Sequence, residues 1–228
     1  MSLLQTEGLT KHFGGLAAVE NVNMDVASRG VRALIGPNGA GKTTFVSLIC
    51  GRLAPTSGVI SFDGRDITTM PAHKRVALGI AYTFQITSIY ARLTVLENVA
   101  LAAHRGRTDP LSALARVGLS EEADHIAGAL SYGHQRLLEV AMGLALDPRL
   151  LILDEPTQGL ANAEIDAFNE IVLQVAKDAS VLLIEHNMDV VMELADRITV
   201  LDFGRVLAEG APDVIRADAA VQAAYLGA

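Results

Sequence analysis

Three groups of residues in this chain have the types and spacing to handle a phosphorylated ligand. Gly36-Pro37-Asn38-Gly39-Ala40-Gly41-Lys42-Thr43-Thr44 fits the P-loop pattern G-x-x-x-x-G-K-[ST]. Its glycines let successive backbone N–H groups turn inward as an anion nest, and a following helix adds its free N–H groups and positive dipole end. In such a loop Lys42 reaches the β- and γ-phosphates and the Thr43 hydroxyl ligates Mg²⁺. The second group is acidic. Asp154-Glu155 ends the apolar run Leu150–Leu153, where one carboxylate can hold Mg²⁺ and its neighbour can orient a water for in-line attack on a γ-phosphate. His186 and Gln85 close two other apolar runs: an imidazole there can contact a γ-phosphate oxygen or the attacking water, and an amide can complete a metal shell, although both residue types are also common as plain strand ends. The third group is Leu130-Ser131-Tyr132-Gly133-His134-Gln135-Arg136. A hydroxyl, a glycine and a helix N-terminus make a second phosphate site as well as an ordinary N-cap. One monomer hardly needs two sites for one triphosphate, whereas two copies related by symmetry would each close over the other's nucleotide.

The elements that must position these groups follow from hydropathy. Val31–Ile35 reads as a buried strand and Thr44–Cys50 as a helix, so the Gly-rich loop has strand and helix on its two sides. Residues 3–35 otherwise read as short strands with turns: Val22, Met24 and Val26 alternate with Asn23 and Asp25, and His12-Phe13-Gly14-Gly15 reads as a turn carrying an aromatic. A further strand region spans 58–64 with Asp63-Gly64 as its turn, residues 66–79 read as a turn plus a short helix, and Ile80–Gln85 as a strand. From Thr94 to Leu146 the pattern is helical, with Thr94 and Ser131 as caps. Leu150–Leu153 and Val181–Ile184 are buried strands around a helix of about Ala163–Lys177. Apolar strands alternating with helices predict an α/β fold with a parallel sheet, whose ligands sit at the carboxyl ends of the strands. The P-loop, Gln85, Asp154-Glu155 and His186 all fall at such ends.

Composition narrows the class. The chain has 228 residues, 50% of them hydrophobic, and a net charge of −8. That length suits one large domain or two small ones, and the charge argues against broad nucleic-acid binding. No apolar run approaches the ~18 residues of a membrane span, and the first residues lack a signal-peptide pattern. A single cysteine, Cys50, excludes an internal disulfide and a Cys-based metal cluster. The expectation is a compact cytoplasmic protein that reaches any membrane through partners.

Together these motifs resemble the ATP-binding cassette (ABC) ATPases over essentially the whole chain. Gly36–Thr44 matches Walker A, Leu150–Asp154 Walker B, Gln85 the Q-loop, Leu130–Gln135 the signature and His186 the switch histidine. The resemblance implies a P-loop NTPase core with an antiparallel β subdomain and a helical signature subdomain. It further implies one domain over 1–228, with helices inserted at approximately 86–145. It implies ATP and Mg²⁺ as ligands, ATP contacts from Phe13 (stacking on adenine), Gly36–Thr44 and Gln85, metal contacts from Thr43, Gln85 and Asp154, and Glu155 as the catalytic base beside Lys42 and His186. Ser131, Tyr132, Gly133, His134 and Gln135 would face the opposite subunit's ATP. Gln85 and the stretch Tyr82–Asn98 would touch membrane subunits. The implied partners are two transmembrane permease subunits, a second ATPase subunit (identical or sibling) and, indirectly, a substrate-binding protein, on the cytoplasmic face of the inner membrane.

Within the family the chain is similar to the ATPases of branched-chain amino-acid importers. Tyr132-Gly133 with Gln135-Arg136, Thr83-Phe84-Gln85, Glu185–Asp189, Asp202–Val206 and the tail 208–227 carry that likeness. Three features depart from it: a short region around Gly106–Pro110, Gln158-Gly159-Leu160-Ala161 where an aspartate is common, and His134 where Gln or Glu is usual. Importers of urea, amides or aromatic acids share the pattern, and so does a soluble ABC ATPase driving a non-transport assembly. A GTPase or small-molecule kinase fits less well: the guanine-reading Asn-Lys-x-Asp is missing, and a kinase leaves Ser131–Gln135 unexplained.

Overall fold

The structure, a computed structural model, describes residues 2–83, 88–103 and 108–226. Its N-terminal part is a four-stranded antiparallel sheet, ordered β2-β1-β4-β5, of β1 (Ser2–Phe13), β2 (Leu16–Ala27), β4 (Ser57–Phe62) and β5 (Arg65–Asp66). Val22, Met24 and Val26 are buried while Asn23 and Asp25 are exposed, as their alternation requires. The expected short strands are instead two 12-residue strands, with Phe13 ending β1 and the turn confined to Gly14-Gly15. Irregularities in the β1–β2 register explain the length, because bulges let a long ribbon twist and stay paired. At the β4–β5 turn Asp63 and Gly64 have φ of 52° and 72°, the left-handed pair that a tight hairpin needs.

The second sheet is ordered β10-β9-β3-β8-β7-β6 and holds β3 (Gly30–Ile35), β6 (Ile80–Thr83), β7 (Leu150–Asp154), β8 (Ser180–Ile184), β9 (Arg197–Asp202) and β10 (Arg205–Gly210). β6, β7, β8, β3 and β9 run parallel and β10 closes the edge antiparallel. The β9–β10 hairpin is an addition to the strands read from sequence. Every residue of β7 and β8 is buried, because helices or the other sheet cover both faces; hence the unbroken apolar runs. Arg32, in the middle of β3, is buried and pairs with Glu209 of β10 at 2.5 Å and with Thr199 of β9, tying three strands together by charge.

The helices are α1 (Lys42–Ile49), α2 (Ala72–Ala77), α3 (Val95–Ala103), α4 (Pro110–Arg116), α5 (Tyr132–Leu144), α6 (Asn162–Ala176), α7 (Met188–Leu194), α8 (Pro212–Ala217) and α9 (Ala219–Leu226). α3 starts with a capping box: Thr94 Oγ1 accepts the Glu97 N–H at 3.1 Å and Glu97 returns to the Thr94 N–H at 2.7 Å. Ser131 Oγ caps α5 through the His134 N–H at 3.2 Å. The region from Thr94 to Leu146 is less continuous than its helical pattern, since 3₁₀ turns at Ser120–Glu122 and Ala127–Ala129 separate α4 from α5. One core layer packs Phe45, Ile49 and Leu182 between the two sheets, a second packs Val99, Leu138 and Phe168 under the helices, and a third packs Ile35, Val191, Ile215 and Val221 beside α7–α9.

Candidate functional site

The strand order brings the sequence motifs together. β3 lies beside β8, and β8 beside β7, so the loops after Ile35, Ile184 and Asp154 emerge side by side from one end of a parallel sheet. The chain leaves β3 through Gly36 at φ 151°, where an added Cβ would stand 2.1 Å from the Leu201 carbonyl oxygen. It enters α1 through Gly41 at φ 100°, where a Cβ would meet the Ala18 carbonyl oxygen at 2.3 Å. Both positions therefore admit only glycine, and the loop is wedged between β9 and the start of β2. Asn38 and Gly39 are exposed at its crest, Ala40 is buried, and Pro37 and Thr44 are half-buried.

Lys42 Nζ donates to the Gly36 and Pro37 carbonyls at 2.6 and 3.1 Å and is only 8% exposed. Burial pulls its pKa down, against the charges of Glu155 and Asp154, which raise it. The ammonium thus feels both carboxylates without a direct ion pair to either among the described residues. Thr43, next in the chain, is exposed.

Asp154 is the last residue of β7 and is 3% exposed. Burial raises its pKa, and the Tyr82 hydroxyl, donating at 2.7 Å, pulls the other way. Tyr82 is in turn held above the ordinary tyrosine range, first by burial and then by that bond, and the Arg52 guanidinium stands 4.3 Å from the centre of its ring. The chain then turns at Glu155, whose φ of 48° is left-handed and whose N–H donates to the Ile184 carbonyl at 2.8 Å. That turn separates the two adjacent carboxylates. Glu155 Oε2 ends 4.0 Å from His186 Nδ1, which confirms the neighbourhood of the β7 and β8 ends. His186 is 54% exposed at its side chain.

Sequence reasoning missed Glu185 as a structural residue. Its side chain is completely buried. One oxygen accepts from the Thr157 N–H at 3.0 Å and hydroxyl at 2.5 Å; the other accepts from the His186 and Asn187 N–H groups at 2.9 and 3.2 Å. Four donors offset the desolvation of the carboxylate, and the result is a clamp between the loop after Glu155 and the turn carrying His186. The only sequence signal was an acidic residue at the end of an apolar strand. Arg75 was missed as well: 1% exposed, it donates to the carbonyls of Leu48, Ile49, Met70 and Thr68 at 2.7–3.0 Å and so caps the C-terminus of the P-loop helix α1.

The Ser131–Gln135 segment is not drawn to the P-loop by any contact among the described residues. It faces outward: Ser131, Tyr132 and His134 are exposed, Gly133 is buried and Gln135 half-buried, with Gln135 Nε2 donating back to the Leu130 carbonyl at 3.1 Å. A Cβ on Gly133 would strike Glu164 at 2.4 Å, and the Tyr132 ring lies against Gly159, so this segment abuts the loop that follows Asp154-Glu155 in its own chain. Behind it, Arg136 and Glu139 form a buried pair at 3.0 Å, and Glu139 also accepts from the Ser88 N–H at 2.5 Å. Phe13 is 47% exposed at the β1–β2 hairpin, paired with Leu16, two residues before the Ala18 that backs the P-loop. Gln85 lies outside the described residues, as does Gly106.

The donor set suits a hard cation. Asp154 supplies a carboxylate and Thr43 a hydroxyl, both oxygen donors of the kind Mg²⁺ takes together with phosphate and water. Among the described residues there is no group of three His, Cys, Asp or Glu that could hold a metal. No helix among them is long and apolar enough to cross a membrane.

The comparisons agree with this geometry. Residues 19–158 match the family model described as ABC transporter, and residues 205–228 one described as branched-chain amino acid ATP-binding cassette transporter. The chain is 39% identical to the high-affinity branched-chain amino acid transport ATP-binding protein BraF of Pseudomonas aeruginosa, covering 99% of this chain and 98% of that one. It is 37% identical to the protein of like description, LivG, of Salmonella typhimurium, with the same coverage. Its fold superposes on the ADP conformation of MJ1267, an ATP-binding cassette of an ABC transporter, with a TM-score of 0.91, 30% identity and full coverage of both chains. On its motifs, its fold and these relatives, the chain belongs to the ABC transporter family, as an ATP-hydrolysing cassette.

Proposed function

We propose that this chain powers an importer of branched-chain or chemically related amino acids, as a peripheral subunit on the cytoplasmic face of the membrane. The observation that carries the catalytic reading is the convergence of Lys42, Asp154, Glu155 and His186 at adjacent strand ends. ATP is the substrate. Its phosphates enter the loop Gly36–Thr44 and take the Lys42 ammonium over from the Gly36 and Pro37 carbonyls, because an anionic phosphate oxygen is a stronger partner for a buried cation than a neutral carbonyl. Phe13 stacks on adenine. Thr43 and Asp154, with Gln85, hold Mg²⁺, which when bound neutralises phosphate charge. Glu155, 4.0 Å from His186, accepts the proton of the attacking water, and His186 holds the γ-phosphate or that water. Glu185 keeps the two turns in register.

The outward face Ser131–Gln135 closes over the nucleotide of a second ATPase subunit, identical or sibling, and two transmembrane permease subunits convert closure and reopening into transport. The helices between β6 and β7 form the subdomain that meets them. The match over 205–228 and the relatives' descriptions support the amino-acid cargo, delivered by a substrate-binding protein. The test is a pull-down of tagged Glu155→Gln from native membranes with MgATP. Two multi-span membrane proteins among the captured partners are the expected result; soluble partners alone would overturn the transport reading.

A further inference from the structure

A groove of about 480 Å³ lies away from the nucleotide site, between α7 and the α8–α9 corner. Its floor is aliphatic and soft: Met188 and Met192 from α7, Ile215 from α8 and Val221 from α9. Thioether side chains reshape around branched carbon skeletons at little cost, and the volume falls within the range of small-molecule sites. The rim carries one charge of each sign, Asp189 from α7 and Arg216 from α8, and both residues are exposed. Neither is committed to an ion pair among the described residues. Gln222, at the same rim, donates to the Arg216 carbonyl at 2.9 Å and holds the corner. Tyr225 completes the lining, with its hydroxyl enclosed beside the backbone of Gly36.

We propose that this groove binds an aliphatic α-amino acid, with its ammonium on Asp189, its carboxylate on Arg216 and its side chain among Met188, Met192, Ile215 and Val221. A groove that was only apolar would take any greasy molecule; charges of both signs at the rim of an aliphatic floor select a zwitterion with a branched tail. The choice of amino acid rests on the importer reading above. The position gives the site a purpose, since its occupant touches Met188, two residues after His186, and Tyr225, which stands against the first glycine of the P-loop. A cassette so built senses the amino acid on its own side of the membrane.

The test is calorimetric titration of the purified full chain, without nucleotide, with L-leucine, isovalerate and isoamylamine; the last two each lack one of leucine's charges, isovalerate with one carbon fewer as well. A saturable leucine isotherm with Kd of about 1 mM or tighter is expected. Isovalerate and isoamylamine should bind at least about tenfold more weakly, as should leucine to Asp189→Asn and to Arg216→Ala. Gln222→Trp, on the exposed rim, should block the groove, and all three variants should retain the parental affinity for ATP. No saturation by about 10 mM leucine, or variants that bind it as the parent does, overturns the site; isovalerate binding as well as leucine overturns its chemistry. Because nucleotide is absent, failure here is distinct from failure of the membrane pull-down, which alone decides the transport reading.

Discussion

Burial holds the Asp154 carboxyl above the ordinary carboxylate range, so ionising it in the nucleotide-free fold costs stability. A carboxylic acid whose pKa is raised on folding contributes least when ionised: its stability contribution is intact below the unfolded value and is lost as pH rises through the folded one. Asp154→Asn keeps the shape and an acceptor for the Tyr82 hydroxyl and removes the charge. Its Tm without nucleotide should exceed the parent's at pH 7, and the gap should shrink as pH falls toward 4; thermal melts over that range check both. The same variant should lose Mg²⁺-dependent hydrolysis, the trade between stability and activity expected of a charge kept for its ligand. Lys42→Ala should weaken ATP binding by about 10- to 100-fold in equilibrium titration, the loss of charge-assisted bonds to phosphate. Both residues were legible in the sequence because their motifs have fixed spacing and an unusual residue type at each point. Glu185 and Arg75 were not. Their roles consist of partners that only the fold gathers, and a charged side chain looks the same in a sequence whether it faces solvent or, as here, four donors around the Glu185 carboxylate and four carbonyls around the Arg75 guanidinium.

At the level of elements, β6, β7 and β8 were readable from their apolar runs, because strands covered on both faces show no polar interruption, whereas the β9–β10 hairpin was not. The paired long strands β1 and β2 were broken up in the reading, since their bulges interrupt the alternation on which strand reading depends. The 3₁₀ turns between α4 and α5 were invisible for a similar reason: apolar residues at Ala123 and Ala127 continue a helical period while the backbone departs from it. α1 shows how an element is held by others. Its N-terminus forms the phosphate loop, and its C-terminus has Leu48 and Ile49 carbonyls satisfied by Arg75 from α2. Arg75→Met should strip the guanidinium from four carbonyls, two of those bonds buried, and cost at least about 3 kcal/mol, read by urea denaturation. Its ATP affinity should fall too, because α1 then pivots at the end opposite the phosphates.

For the whole molecule, the parallel order was foreseen from strands alternating with helices, but the position of β3 between β8 and β9 was not, because nothing local in a strand states its neighbours. That position has a consequence for the making of the protein. The P-loop is complete in sequence by residue 44, yet Leu34 pairs with Ile184 on one side and with Thr199 on the other. Most of the chain must leave the ribosome before the strand that carries the loop has anything to lie against, and closing so long a loop is a slow step in folding. A nascent chain stalled before Ser180 should therefore carry every Walker residue and retain no nucleotide, while one stalled well beyond Asp202 should retain it. Until those strands emerge the chain is an unfinished cassette that ATP cannot stabilise, and the segment that confers nucleotide binding on the first motif is translated long after it.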